Sequence, residues 1–305
     1  MVLMNNMENL DKNRDSDSVN TYFKDLFTFV GIGIITLDSK SNIEFVNEEA
    51  LNIFGYTSIE LINTNFSALI HSADQESFSL YIQSNNSLSP AEFKGIHKDN
   101  SAFPIEINIS SKLLNNNFIY TVVIRDITEL KQNEENLKHQ AYFDSLTEIP
   151  NRTLFLDRSE IALNQAKRSQ EGMAIIFIDL DEFKELNDTL GHDAGDVMLK
   201  TVSKRFINCA RKSDTVSRRG GDEFTILMPR ISNIKDAVKL AERILDSNKS
   251  AIAIKDKMVF PKTSIGISIY PQDGDSIETL INNADKAMYS AKESGKNQYA
   301  IFNSN

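Results

Sequence analysis

Arg218-Arg219-Gly220-Gly221-Asp222-Glu223-Phe224 sets two adjacent acids beside a glycine pair, between the β-prone runs Thr215-Val216-Ser217 and Phe224-Thr225-Ile226-Leu227-Met228. A Gly-Gly pair supplies the positive φ that a tight hairpin turn requires, so the stretch predicts a two-stranded β-hairpin with Asp222 and Glu223 at its tip. Carboxylates there can face a metal and a phosphate. Alone, such a motif reads more readily as a solvated hairpin with two surface acids.

About forty residues upstream, Met173 to Ile178 is a continuous apolar run ending in Asp179-Leu180-Asp181, the pattern of a buried strand that releases an acid at its carboxyl end. Open α/β sheets place ligands at that edge. The following Glu182 to Asp188 is polar and helix-compatible, and a second helix is expected to start near Gly191-His192-Asp193-Ala194-Gly195-Asp196, since Leu199, Val202, Phe206 and Cys209 recur at helical spacing. Acids at Asp179 and Asp222 thus flank a basic Lys184 and a polar loop. Carboxylates that hold Mg²⁺, a lysine that neutralises phosphate oxygens and a polar pocket that reads a base are the parts of metal-assisted phosphoryl transfer.

With these residues in place, the carboxyl-terminal half, roughly residues 143 to 303, resembles a GGDEF domain of the diguanylate cyclase family. The match also takes in Asp144-Ser145-Leu146-Thr147, Pro150-Asn151-Arg152, Asn187-Asp188, Ser264-Ile265-Gly266, Ala284-Asp285-Lys286-Ala287-Met288-Tyr289, Ala291-Lys292 and Gly295-Lys296-Asn297. The resemblance implies condensation of two GTP into cyclic di-GMP with release of pyrophosphate. It implies Mg²⁺, with Mn²⁺ an acceptable substitute, held by the side chains of Asp179 and Asp222 and by the carbonyl of Leu180. Either Asp222 or Glu223 would help deprotonate the attacking hydroxyl. Lys184 would stabilise phosphate charge, and Lys292 and Lys296 would hold the triphosphate from the other side.

Guanine is assigned by the same resemblance to Asn187 and Asp196, with His192 nearby. A carboxylate only accepts hydrogen bonds, and guanine offers N1-H and N2-H₂ donors where adenine has an unprotonated N1, so Asp196 favours GTP over ATP. The structural alternative is that Asn187 and Asp196 merely cap helices. Ahead of the hairpin, Arg211-Lys212-Ser213-Asp214 resembles the family's inhibitory site, in which the product binds to Arg211 and Asp214. In isolation the pattern is a surface pair at a helix end. Two departures stand out: Lys296 replaces a common arginine, losing its bidentate fork, and Glu148 replaces a usual glycine.

The amino-terminal half is expected to form strands at Gly33–Asp38, Ile43–Asn47, Ala91–His97, Ala102–Ser110 and Phe118–Arg125, with short helices through Ala50, Phe54 and Leu61. That layout resembles a PAS sensor domain, supported by Phe54-Gly55-Tyr56, His97-Lys98-Asp99, Phe103-Pro104 and Asp126-Ile127-Thr128. Asn63 and Asn100 stand where the family commonly has glycine. Its ligand is left open. The only cysteine, Cys209, lies in the other half, which excludes a flavin–cysteine adduct. His71 and His97 read as solvated or capping residues ahead of haem ligands, a noncovalent flavin or small metabolite ranks ahead of haem, and a PAS domain without cofactor, acting in dimerisation, is the leading reading.

Between the halves, Asp126 to Gln140 is charged and helix-prone, with Ile127, Leu130, Leu137 and Ala141 forming a short coiled-coil seam weakened by Glu134. A solvated linker helix is the alternative. The resemblance makes homodimerisation part of the chemistry, since each domain holds one GTP.

The fold expected is mixed α/β (α+β): a polar tail over 1–18, a PAS domain with an antiparallel five-stranded sheet over 19–128, a helical linker over 129–142, and a nucleotidyl-cyclase-like GGDEF domain, its central sheet flanked by helices, over 143–305. The length of 305 residues suits two domains, and a net charge of -10 without a basic run speaks against nucleic acid or an anionic membrane as partner. One cysteine permits no internal disulfide, and no apolar run approaches a membrane span or signal-peptide core, so a cytoplasmic location is expected. The chain's end soon after Asn297 reads as leaving no room for an appended phosphodiesterase domain. Two functions follow: an active cyclase, or a catalytically idle GGDEF domain that binds GTP or cyclic di-GMP and signals through protein contacts. Intact acids favour the first.

Overall fold

The computed structural model describes residues 31–83, 89–114 and 117–303. The polar tail, residues 19–30 of the expected sensor domain and Asn115-Asn116 of an expected turn lie outside them. The chain divides into two compact units between Glu135 and Asn136.

In the first unit, β1 (Gly33–Leu37), β2 (Ile43–Val46), β3 (Ala91–Ile96), β4 (Ala102–Leu114) and β5 (Asn117–Asp126) form one antiparallel sheet in the order β2-β1-β5-β4-β3. Burial alternates along β1, as a sheet with one covered face requires. Helices α1 (Glu48–Phe54), α2 (Ser58–Leu61) and α3 (Gln75–Gln83) follow β2. Asn47 caps α1: its Oδ1 accepts from the amides of Ala50 (2.9 Å) and Ile34 (2.8 Å), fixing the helix to β1. The interior is aromatic, with Phe78 5.1 Å from Phe66 and 5.5 Å from Phe93, centroid to centroid. Asn63 and Asn100 both have positive φ, 65° and 67°, the backbone that glycine adopts most freely and that asparagine tolerates better than most other residues. His97 stacks on Phe103, and His71 Nδ1 accepts from the Ala73 amide.

Helix α4 (Thr128–Tyr142) begins where Asp126 Oδ1 accepts from the Thr128 amide at 2.8 Å. Ile127 precedes the helix and is buried, its amide donating to the Pro104 carbonyl at 3.1 Å, so it is withdrawn from the expected seam. Leu130, Leu137 and Ala141 are exposed, and no residue of α4 is buried within the chain.

The second unit contains α5 (Arg152–Ser169), β6 (Gly172–Leu180), α6 (Phe183–Leu190), α7 (His192–Cys209), β7 (Thr215–Gly220), β8 (Glu223–Ile231), α8 (Ile234–Asn248), β9 (Ile252–Ile254), β10 (Lys257–Val259), β11 (Thr263–Tyr270), α9 (Ile277–Glu293) and β12 (Tyr299–Ile301). Its sheet runs β12-β11-β6-β8-β7, with β9 and β10 a separate hairpin. The apolar run predicted as a buried strand is the central strand β6. It is antiparallel to both neighbours, unlike the parallel strands that such runs commonly mark. The reason is that both faces are covered: Ala174, Ile176 and Ile178 pack towards α7 and α8, whereas Met173, Ile175 and Phe177 pack towards α5 and α9. This two-residue alternation decides the site, because it sends Asp179 to the α9 side and Leu180 to the other. Gly266 allows the approach of α9, since a Cβ there would overlap the Ala284 carbonyl and the Met288 amide.

Glu148 has φ 59°, a left-handed conformation that disfavours any side chain, in the turn whose amide donates to the Asp144 carbonyl at 2.8 Å. Its side chain is exposed. Glu148→Gly is therefore expected to stabilise this unit by about 0.5–1 kcal/mol, the left-handed strain relieved less the extra entropy that glycine loses on folding. Chemical denaturation followed through the unfolding transition of this unit checks it; an unchanged or lowered midpoint would show that the turn carries no such strain.

Candidate active site

The expected hairpin is β7–β8, turning at Gly221-Asp222 with φ of 148° at Gly220 and 55° at Gly221. Asp222 occupies the turn. Glu223 is instead the first residue of β8, paired with Gly220 on one side and with Asp179 on the other. Register thus brings the three acids together: the Leu180 amide donates to the Asp222 carbonyl at 3.2 Å, tying the end of β6 to the turn.

Asp179 is 8% exposed. Burial pushes its carboxyl above the usual range, the charges of Asp222 and Asp181 push it further, and Lys292 opposes both. Lys292, at the last turn of α9, sets its Nζ 2.7 Å from Asp179 Oδ1. Lys296 is placed differently: its Nζ lies 3.3 Å from Glu182 Oε1, and Lys262 approaches Oε2 of the same glutamate at 3.5 Å. Asp181 fixes the loop that carries Lys296, accepting from Ser264 Oγ at 2.8 Å and from the Asn297 amide at 3.0 Å.

Asn187 lies in α6 and Asp196 in α7, and neither caps a helix; Gly191 divides the two helices. The Asn187 Oδ1 is buried without a hydrogen-bond partner, and it faces Gly195, where a Cβ would collide with it. Gly195 therefore lets the amide lie close to the α7 backbone, beside Asp196. His192 opens α7 and Lys184 lies in the first turn of α6, both exposed. A hollow of about 250 Å³ under α6 is lined by Leu180, Leu186, Met198 and Phe260 and includes neither Asn187 nor the acids at Asp179 and Asp222.

A brace supports the turn that no spacing in the sequence announced. Arg218 Nε and Nη2 donate to the Gly221 carbonyl at 3.0 and 2.8 Å, while Nη1 donates to both oxygens of Asp144 at 2.9 and 3.1 Å. Asp144 also accepts from the Thr147 amide and hydroxyl. Burial alone would raise its carboxyl, but these bonds hold it below the usual range. The guanidinium is largely shielded from solvent, so the brace fixes the turn backbone from behind.

The donor set suits a hard divalent cation: two carboxylates and one carbonyl, leaving coordination positions for phosphate and water, with a lysine ammonium already drawn to Asp179. Among the described residues no three acidic, histidine or cysteine side chains gather into a complete cage. Arg211 and Asp214 are not part of this cluster. They lie before the opposite end of β7, roughly 17 Å along the strand from Gly220, where Asp214 Oδ2 accepts from the Arg211 amide at 2.8 Å and Arg211 Nη2 lies 3.7 Å from Asp236.

Comparison with known proteins places both units. Residues 141–298 match the diguanylate cyclase GGDEF domain and residues 31–129 match a PAS domain. Diguanylate cyclase TpbB of Pseudomonas aeruginosa is 41% identical over 168 residues, which are 55% of this chain and 39% of TpbB, so the chain spans about two-fifths of that relative. The crystal structure of the TpbB GGDEF domain superposes with a TM-score of 0.51 at 39% identity, covering 52% of this chain and 99% of that domain. The GGDEF domain of DgcB from Caulobacter crescentus, solved in complex with c-di-GMP, gives 0.50 at 26% identity, covering 54% and 97%. No described helix is long and apolar enough to cross a membrane. By the match over more than half its length, the chain belongs to the GGDEF-domain family of diguanylate cyclases, with a PAS domain preceding the GGDEF domain.

Proposed function

We propose that this chain is a diguanylate cyclase that joins two GTP into cyclic di-GMP, each GGDEF domain of a homodimer presenting one GTP to the other. The observation that carries the reading is the convergence of Asp179, Asp222 and Glu223 at one sheet end, in a chain of this family. In each of two steps a ribose 3′-oxygen bonds to the α-phosphorus of the facing GTP and the bond to the β-phosphate oxygen breaks, releasing pyrophosphate. The hydroxyl proton passes to Asp222 or Glu223. Mg²⁺ bound by Asp179, Asp222 and the Leu180 carbonyl would supply charge neutralisation at the triphosphate. Lys184 stabilises phosphate charge in the transition state. Lys292 and Lys296 hold the triphosphate, Lys292 leaving Asp179 to do so.

Asn187, Asp196 and His192 read the base. Asn187 would accept from a guanine donor through Oδ1, which its side chain must first turn out from its buried place against Gly195. Incubating the purified chain with GTP and Mg²⁺, with ATP in parallel, and identifying the product by mass spectrometry tests the whole reading. A folded, dimeric sample that releases no cyclic di-GMP would overturn it.

Product inhibition at Arg211 and Asp214 is part of the proposal, supported by their position away from the acids, Arg211 exposed and Asp214 half-buried, and by the solved complex of DgcB. Arg211→Ala is expected to abolish the slowing that added cyclic di-GMP causes in progress curves. If variant and wild type slow alike, the pair is a surface contact only.

The exposed Leu130 and Leu137 of α4 supply a dimer seam through which the PAS domain controls the rate. Inserting four residues after Asn136 turns the following helix by roughly 40° and advances it about 6 Å. Turnover should change severalfold at matched dimer concentration. A rate indifferent to insertions of one to four residues would make α4 a passive tether.

A further inference from the structure

Glu182 stands immediately before α6 with φ 63°, a left-handed backbone that disfavours a side chain, and its carboxylate does not cap the helix. It meets two ammonium groups instead, with Lys296 Nζ 3.3 Å from Oε1 and Lys262 Nζ 3.5 Å from Oε2. One residue fixes the backbone at both lysines. The Asp181 amide donates to the Lys262 carbonyl at 2.9 Å, and Asp181 Oδ2 accepts from the amide of Asn297, next to Lys296, at 3.0 Å. Lys262 directly precedes β11, whose Thr263 and Ser264 pair with Leu180 and Asp179. It therefore stands one step beyond the carbonyl and carboxylate proposed to hold Mg²⁺, on the side of β6 opposite the hairpin that carries Asp222.

Two ammonium groups share one carboxylate, so the trio carries net positive charge, whereas a triphosphate keeps net negative charge after one Mg²⁺ has bound. All three groups are about half exposed, and ion pairs of that kind hold weakly, so phosphate oxygens can take the place of the carboxylate. The α-phosphorus reacts beside Asp222 and Glu223, which directs the rest of the triphosphate across β6 towards β11 and the two lysines. We propose that Lys262 is a further lysine on the triphosphate, meeting its terminal phosphate together with Lys296, and that Glu182 is the anion both lysines leave on binding, which lowers the affinity for GTP. The inference rests on the GTP-site reading of Lys296, and the test separates the two.

Calorimetric titration of the full chain in Mg²⁺ uses α,β-methylene GTP, which cannot release pyrophosphate, and α,β-methylene GDP, which lacks the terminal phosphate; each variant is first shown to be folded by its melting curve. Lys262→Met keeps the stem that lines the hollow under α6 and removes the charge. It should weaken the GTP analogue about threefold to tenfold, the scale of a charge-assisted contact at a half-exposed site, and the GDP analogue less. Glu182→Gln should tighten the GTP analogue by about threefold, a gain that losing a merely structural ion pair does not give. In the Glu182→Gln background Lys262→Met should still weaken binding, because the contact it removes is with phosphate. If Lys262→Met weakens binding only while Glu182 is present, Lys262 serves to neutralise that carboxylate and the proposal is overturned. Equal losses for the two analogues, or a Glu182→Gln variant that binds no tighter than wild type, overturn it too. Lys296→Ala that weakens the GTP analogue while Lys262→Met binds as wild type does leaves the GTP site standing and removes Lys262 from it. Wild type that fails to bind the analogue, or Lys296→Ala that binds undiminished, removes the GTP-site reading and the role of Lys262 with it.

Discussion

Asp222→Ala should lower the rate of cyclic di-GMP formation by about a thousandfold or more, the scale on which loss of a charge-stabilising group at a reacting centre is felt. The fold should survive. Asp222 sits in a turn, and its structural contribution is a backbone carbonyl, accepting from the Leu180 amide, that alanine retains. The Arg218 brace grips the carbonyl of Gly221 and is untouched as well. Product quantified by chromatography, alongside a thermal melt, checks both halves. Turnover near the wild-type level would remove Asp222 from the metal site and leave Asp179 without its proposed partner.

Asp196→Ala should reduce kcat/KM for GTP by about tenfold to a hundredfold, the cost of one hydrogen-bonded charge, and should narrow the preference for GTP over ATP. Alanine is a strong helix former and Asp196 is exposed on α7, so stability should hardly change. Competition between labelled GTP and ATP reads the discrimination directly. If the variant keeps the wild-type preference, base reading rests on Asn187 and the backbone, and the carboxylate is a surface residue.

The sequence disclosed what depends on local pattern. All five sensor strands and the GGDEF hairpin follow from alternation and turn residues, and the acid released at the end of a buried strand is Asp179 on β6. Strand direction was less legible, because a run buried on both faces is uniformly apolar whichever way its neighbours point. Ile127 fits a heptad with Leu130 and Leu137, yet it is buried ahead of the helix; spacing alone does not tell a seam from a core residue at a helix entrance. The contacts that complete the site span long stretches of chain. Lys292 with Asp179, and Arg218 with Asp144, were visible as residues but not as pairs. Glu223, adjacent to Asp222, joins the strand because the turn needs only Gly221 and Asp222 between paired residues.

Asn187 has an energetic consequence of its own. A buried carbonyl oxygen without a donor leaves the ligand-free domain less stable by about 1–3 kcal/mol than one with that oxygen satisfied. In the reading proposed, guanine is what satisfies it, so recognition draws on a defect that the empty fold tolerates. Selection for thermal resistance alone would favour filling or removing that oxygen. The variants it found would be hardier proteins with one fewer contact by which to prefer guanine.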